Sequence, residues 1–229
     1  MQVRTDKELI VRKSIAAKLG SGIGLVLVFC GLLLFWVPWG YPWSYLMVLL
    51  GFVIGSVGNR QMNRWVSEPR ADQVLSRALR GFDDNHYLYN YILPAAHVLL
   101  APYGLFVIKA KGVEGRIRCL KDRWQRDFSL LRLLRGFGPE PLGNPTREAR
   151  REMERLTEYI AQHLPGEEIE VKGVIIFTHP QVRLEVGGAT LPTMWLRGLK
   201  SYLRKAARGG EMTGEIHKEL VRIFDEAAS

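Results

Sequence analysis

The sequence predicts an α/β domain with a mixed central sheet, preceded by a membrane-spanning helical hairpin. Three observations predict it. Residues 19–59 contain no Asp, Glu, Lys, Arg or His. The chain after them alternates runs of branched and aromatic residues, bounded by turn signals, with segments of helical periodicity. Those segments come in the order helix, strands, helix, strand, helices, which suits a sheet covered by helices.

Residues 19–37, LGSGIGLVLVFCGLLLFWV, are 19 consecutive uncharged and mostly apolar positions. A helix of that length rises about 28 Å, close to the hydrocarbon thickness of a bilayer. The turn Pro38-Trp39-Gly40-Tyr41-Pro42 follows, then a second apolar run at 43–58. Pro42 suits a helix's first turn, and Arg60 can snorkel to the interface. Trp36, Trp39, Tyr41, Trp43 and Tyr45 cluster around the turn, as interfacial aromatics do. Arg4, Lys7, Arg12, Lys13 and Lys18 precede the first span and Arg60, Arg64 and Arg70 follow the second, while the turn holds no cation. By the positive-inside rule both termini and the soluble domain lie in the cytoplasm, with two spans in the plasma (inner) membrane. A cleaved signal peptide would want small residues after the apolar run, where Val37-Pro38-Trp39 stands. Gly20 with Gly24 and Gly51 with Gly55 form small-xxx-small pairs that let helices approach closely. With no ionisable group inside the spans, the hairpin reads as an anchor rather than a transport path.

The expected organisation is therefore a basic segment at 1–18, the hairpin at 19–59 and a soluble domain at 60–229. The chain carries a formal charge of +9, and the soluble part holds 27 Lys+Arg against 21 Asp+Glu. Its two cysteines, Cys30 and Cys119, lie in unlike regions and support no disulfide framework.

Within the soluble part, 69–80 has helical spacing, with Val74, Leu75, Ala78 and Leu79 on one side. GFDDN signals a turn before the strand HYLYNYIL at 86–93. AHVLLAP (96–102) and LFVIKAK (105–111) read as a hairpin, and GRIRCLKDRW (115–124) as a further strand. After a loop containing Phe137, Gly138, Pro139 and Pro141, Asn144-Pro145 is an N-cap with a first-turn proline. The helix it opens runs to about Leu164, with Met153, Leu156, Tyr159, Ile160 and Leu164 as its apolar stripe. VKGVIIFTH (171–179) is a continuous apolar run, the pattern of a buried central strand. Two helices at about 197–207 and 213–226 close the chain.

The succession DDNHYLYNYILPAAHVLLAPYGLFVIKAKG, a Gly-Arg-Ile with a following tryptophan, NPTREAR and VKGVIIFTHP resembles the nuclease-related domain called NERD. That family belongs to the PD-(D/E)xK nuclease superfamily, and the resemblance covers about residues 69–180. It implies a restriction-endonuclease-like α/β fold. It also implies a site built from an acid on the first helix, an Asp before the His-Val position, a Glu-x-Lys and a helix Gln. Carried over singly, these fall on Asp72, Ala96, Lys109 with Lys111, and Glu148. Only the acid on the first helix and the lysine are kept in kind; Ala96 cannot bind metal and Lys109 reverses the charge.

Metal-assisted phosphodiester hydrolysis needs carboxylates to hold Mg²⁺ or Mn²⁺. Lys109 and Lys111, two apart on a strand, share one face and should repel a divalent cation. The expected function is thus a catalytically degenerate, membrane-anchored module with no metal ligands and no cofactor. It would bind nucleic acid or anionic phosphate surfaces through Lys109, Lys111, Arg116, Arg118, Lys121 and Arg123. Trp124 and Phe128 would stack on bases, and Arg197, Lys200, Arg204, Lys205 and Arg208 form a second basic run. The same charge suits anionic lipid headgroups. One alternative is an active Mg²⁺- or Mn²⁺-dependent nuclease using Asp72, Asp83, Asp84, Glu148 and Lys111. Another is a non-enzymatic interaction protein of a membrane complex. Plainer readings stand beside these. Asp83-Asp84 suits a turn, Glu148 suits a helix dipole, and His97 and His179 are satisfied structural histidines.

Overall fold

The computed structural model describes residues 1–127, 141–210 and 212–228. Phe128, Arg132, Arg135 and the Phe137–Pro139 loop lie outside the described residues. The chain divides into two units. One is built on Lys7–Arg70; the other joins Met1–Asp6 to Ala71–Asp127 and Leu142–Ser229.

The first unit is a pair of helices, α1 (Lys7–Leu34) and α2 (Tyr41–Trp65). Both exceed the apolar runs, because Lys7–Lys18 and Asn59–Trp65 are rich in good helix formers that continue each helix in polar sequence. Their contact is a seam with a seven-residue repeat. Ile10, Ala17, Gly24 and Gly31 are buried on α1, and Ser44, Gly51, Gly58 and Trp65 on α2. Seven-residue spacing keeps one stripe of a helix facing its partner. Here the stripe is small, so the backbones close on each other. A Cβ added to Gly24 would lie 2.3 Å from Gly55 N, and one on Gly58 2.3 Å from Ser21 N. Ser44 Oγ donates to Gly31 O at 2.7 Å, closing the turn end of the seam.

Away from the seam the apolar side chains point outward. Leu25 is 71% exposed, and Phe29, Trp36, Trp43 and Leu49 are also exposed. Only 17% of either helix's apolar window is buried. A core helix of a soluble protein would bury most of it. Both helices are long and apolar enough to cross a membrane.

The second unit carries a six-stranded mixed sheet, β1-β2-β3-β4-β7-β9, and a three-stranded sheet, β6-β5-β8. The large sheet comprises β1 (Gln2–Thr5), β2 (Tyr87–Asn90), β3 (His97–Ala101), β4 (Gly104–Lys111), β7 (Val171–Phe177) and β9 (Thr193–Trp195). The small one comprises β5 (Gly115–Leu120), β6 (Arg123–Arg126) and β8 (Val182–Gly187). The hairpin read from HVLLAPYGLFVIKAK is present as β3 and β4, antiparallel with Val98 opposite Val107. β7 runs parallel between β4 and β9, and covered faces explain its unbroken apolar run.

Three features depart from the expected layout. The first residues are not merely a basic segment. Gln2–Thr5 pair in parallel with Tyr87–Asn90 as an edge strand of the large sheet. The segment 115–124 is two strands, not one, joined by a turn at Lys121 and Asp122, both with positive φ (49° and 61°). Asp122 is held there by its carboxylate, which accepts from Thr190 N–H at 3.0 Å and Thr190 Oγ1 at 2.8 Å. β8 and β9 carry no strong alternation and were not expected.

The helices α3 (Ala71–Ala78), α4 (Pro145–His163), α5 (Leu196–Ala206) and α6 (Gly214–Glu226) cover the large sheet. Leu156 and Ile160 of α4 and Leu220 and Phe224 of α6 pack with Val98, Leu105 and Val107 on one face. Leu75 and Leu79, with Leu199 and Leu203 of α5, pack with Leu99, Phe106 and Ile108 on the other. Asn144 caps α4 as expected, its side chain accepting from Arg147 N–H at 3.0 Å, with Pro145 behind it. Asn144→Ala should cost about 1 kcal/mol in denaturant unfolding of the detergent-solubilised chain; an unchanged midpoint would show that the cap carries no stability.

Candidate functional site

Alternation along β4 divides its side chains between the two faces. Leu105 and Val107 belong to the face under α4, Phe106 and Ile108 to the other. Lys109 and Lys111 continue the first set, so both ammonium groups meet α4. Two helix residues one turn apart receive them. Lys109 Nζ lies 2.7 Å from Glu152 Oε1 and 3.0 Å from Glu148 Oε2. Lys111 Nζ lies 2.9 Å from Glu148 Oε2. Glu152 Oε2 also accepts from the Ala96 backbone N–H at 3.3 Å. The lysines and acids form one quartet, two charges of each sign.

The quartet is largely withdrawn from water: the side chains of Lys109 and Glu152 are 13% and 8% exposed. Burial works against the ammonium of Lys109. Glu152 and Glu148 outweigh it, leaving the group above its usual range. Burial likewise works against the charge on Glu148, and the hydrogen bonds and charges of Lys111 and Lys109 hold its carboxyl below the usual range. Beside it Gly143 has φ of +59°, and a Cβ there would come 2.6 Å from Glu148 Oε1. Backbone and space both call for glycine at this point.

Lys109, Lys111, Glu148 and Ala96 are thus brought together, Ala96 through its main chain. Asp72 is buried in the first turn of α3, the helix on the opposite sheet face. Glu152 was not among the expected site residues. Its signal was present, since it falls four residues after Glu148 and between Ala149 and Leu156 on the buried stripe of α4. A charge on a buried stripe asks for a partner.

The four other cations lie on the small sheet. Arg116, Arg118, Lys121 and Arg123 are exposed. Strand register puts Arg116 beside Arg183 and Arg118 beside Glu185 and Gln125. Arg116 pairs with Glu185, at 2.7 Å from Nε, and Arg118 pairs with Asp127. Among the described residues no acid pairs with Lys121 or Arg123.

Several expected site residues take structural roles. Trp124 is half-buried: it packs against Phe177, and its Nε1–H donates to Thr146 Oγ1 at 2.9 Å. Phe128 lies outside the described residues. Asp83 caps its own turn, accepting from Asn85 N–H and from His86. His97 is buried against Asn90 Oδ1 at 2.8 Å, and His179 accepts from Gln181 N–H in a turn.

Residues 64–178 match the family model described as the nuclease-related domain. No curated protein and no solved structure matches the chain.

Proposed function

The chain belongs to the nuclease-related domain family, and we propose that it is a membrane-anchored member that binds nucleic acid or anionic phosphate surfaces without cleaving them. The observation that carries this reading is the position of Lys109. Its ammonium lies within 3.0 Å of both Glu148 and Glu152, the two carboxylates a metal would otherwise use. The donors therefore do not fit Mg²⁺ or Mn²⁺ while Lys109 is in place, and a fixed internal cation takes the place of the ion. Because both lysines are neutralised, and Arg116 and Arg118 pair with Glu185 and Asp127, phosphate binding falls first to the exposed Lys121 and Arg123, with the two arginines beside them.

The hairpin supports the anchoring part. Its outward apolar side chains suit lipid, and the flanking cations favour a cytoplasmic position for both ends. β1 precedes the hairpin and β2 follows it, yet the two pair in one sheet. This pairing supports a hairpin that crosses the bilayer twice and brings both its ends to one side.

One observation favours a second reading, an active nuclease with migrated acids: Glu148, which contacts Lys111, and Glu152 converge at Lys109. One experiment separates the two. The full chain in nanodiscs is incubated with single- and double-stranded DNA and RNA and Mg²⁺ or Mn²⁺, beside Lys111→Ala. We expect binding without cleavage. Affinity should fall with salt, and Lys121→Ala/Arg123→Ala should lower the slope of log K against log salt by about 2. Cleavage that Lys111→Ala abolishes would establish the second reading. Binding to anionic vesicles but to no nucleic acid would assign the basic face to lipid.

A further inference from the structure

The helices on the sheet face opposite the quartet carry a second basic surface, apart from the small sheet. α3 and α5 both pack on that face, through Leu75 on the first and Leu199 and Leu203 on the second. Lys200 of α5 ties them together, its ammonium donating to Arg80 O. With Leu199 and Leu203 turned inward, the outward stripe of α5 is Arg197, Ser201, Arg204 and Lys205, and Arg208 continues it just past the helix end. The spacing is that of one helix face. Arg77 in the last turn of α3 and Arg80 just after it are exposed as well.

Among the described residues no acid pairs with Arg77, Arg80, Arg197, Arg204, Lys205 or Arg208. The sequence is the reason. Residues 186–210 contain no Asp or Glu, and Asp72, the acid of α3, is buried. Glu170, beside Tyr202 of α5, pairs with Lys172 at 3.4 Å. The small sheet differs, since Glu185 and Asp127 answer its Arg116 and Arg118. Unanswered cations on one layer repel one another, and an anionic surface laid against them relieves that repulsion.

Two observations favour lipid over nucleic acid as that surface. α3 is the first element after the hairpin, joined to α2 by residues 66–70, a link of about 20 Å at full extension. With the hairpin across the bilayer, so short a link keeps α3 close to the leaflet, whose negative potential reaches about 10 Å into the solution. Trp195, at the start of α5, is 38% exposed, and Arg197 Cζ lies 5.1 Å from its ring centroid. An accessible tryptophan beside a cation suits the headgroup layer of a bilayer. We propose that the α3–α5 layer docks on the anionic lipid surface of the membrane that holds the hairpin. The docking rests on the anchoring part of the function proposed above, and is independent of the quartet and of what the small sheet binds.

The full chain is placed in nanodiscs of phosphatidylcholine, alone or with about 30% phosphatidylserine. Acylation of Lys205 by a succinimidyl ester, read by peptide mass spectrometry, reports whether the layer is covered. Lys205 should react about fivefold or more slowly in the anionic discs, and about 1 M salt should remove the difference. Arg197→Ala/Arg204→Ala/Arg208→Ala alters exposed side chains and should keep the native melting temperature. It should bring Lys205 in anionic discs to within about twofold of its rate in zwitterionic ones. Arg147→Ala/Arg151→Ala/Arg155→Ala removes the same charge from exposed positions of α4, on the other sheet face, and should leave the protection as it is. Equal Lys205 rates in the two discs would overturn the docking, and so would equal effects of the two triple variants. Protection by double-stranded DNA but not by phosphatidylserine would overturn it in favour of nucleic acid. A chain that fails to enter the discs would overturn the anchoring itself, and the docking with it.

Discussion

Lys109→Ala is expected to destabilise the nuclease-like unit by about 3 kcal/mol, the cost of leaving one half of a buried ion pair uncompensated. Glu152 is the residue left exposed to that cost. Its carboxylate is almost fully buried, and it would keep the Ala96 N–H at 3.3 Å. Glu148 retains Lys111. Chemical unfolding of the detergent-solubilised chain, followed by tryptophan fluorescence, reads the loss. Lys109→Met/Glu152→Met removes both charges and keeps the volume, so it should recover most of the stability. A companion substitution tests what the ammonium replaces. Lys109→Glu sets three carboxylates, at 109, 148 and 152, around one point. Mn²⁺ should then raise the melting temperature of this variant and leave that of the native chain unmoved. A folded variant with no response to Mn²⁺ would show that the space between the glutamates is not shaped for a cation.

Gly24→Leu should open the helical hairpin. A Cβ at this position would sit 2.3 Å from Gly55 N and 2.7 Å from Gly51 O, and both are backbone atoms that cannot turn aside. Overpacking a well-fitted contact costs about 1–3 kcal/mol, and more where the obstacle is main chain. The loss should appear in thermal melts of the helical circular-dichroism signal in detergent. Gly58→Leu should behave alike, since its Cβ would meet Ser21 N at 2.3 Å. Gly22→Leu is the control. Nothing lies within 4 Å of a Cβ there, so the same leucine on the same helix should be harmless. Equal melting of Gly22→Leu and Gly24→Leu would mean that the seam does not hold the hairpin.

Legibility in the sequence followed the range of the interaction concerned. Asn144-Pro145 announced the start of α4 because capping is settled within three residues, and Arg147 N–H is where the cap predicts. The β3–β4 hairpin was legible for the same reason, its turn joining two neighbouring apolar runs. β1 was not. Gln2–Thr5 contains one apolar residue, Val3, and becomes a strand by pairing with residues more than eighty positions away. The turn at Lys121-Asp122 lacks the usual Asn-Gly signal. Its positive φ angles are sustained by Thr190, from a distant loop.

The glycine pairs foreseen at a spacing of four belong to a longer pattern at a spacing of seven. Gly24 and Gly51 serve in it, while Gly20 and Gly55 stand at its margin. Sequence periodicity announced a close approach. Which stripe faced inward depended on both helices at once.

For the candidate site the division is sharper. The sequence alone determined that an expected metal-binding position carries lysine, that a second lysine follows two residues later, and that their strand presents both on one face. These are consequences of residue identity and the two-residue period of a strand. What answers the two charges was decided only in three dimensions. Glu148 and Glu152 lie some forty residues away on a helix whose face is chosen by Leu156 and Ile160, packed against the same sheet. That packing brings two carboxylates to two ammonium groups in a space with little water, where unpaired charge of either sign is too costly to keep. The identity of the charges was local; their neutralisation is a property of the core.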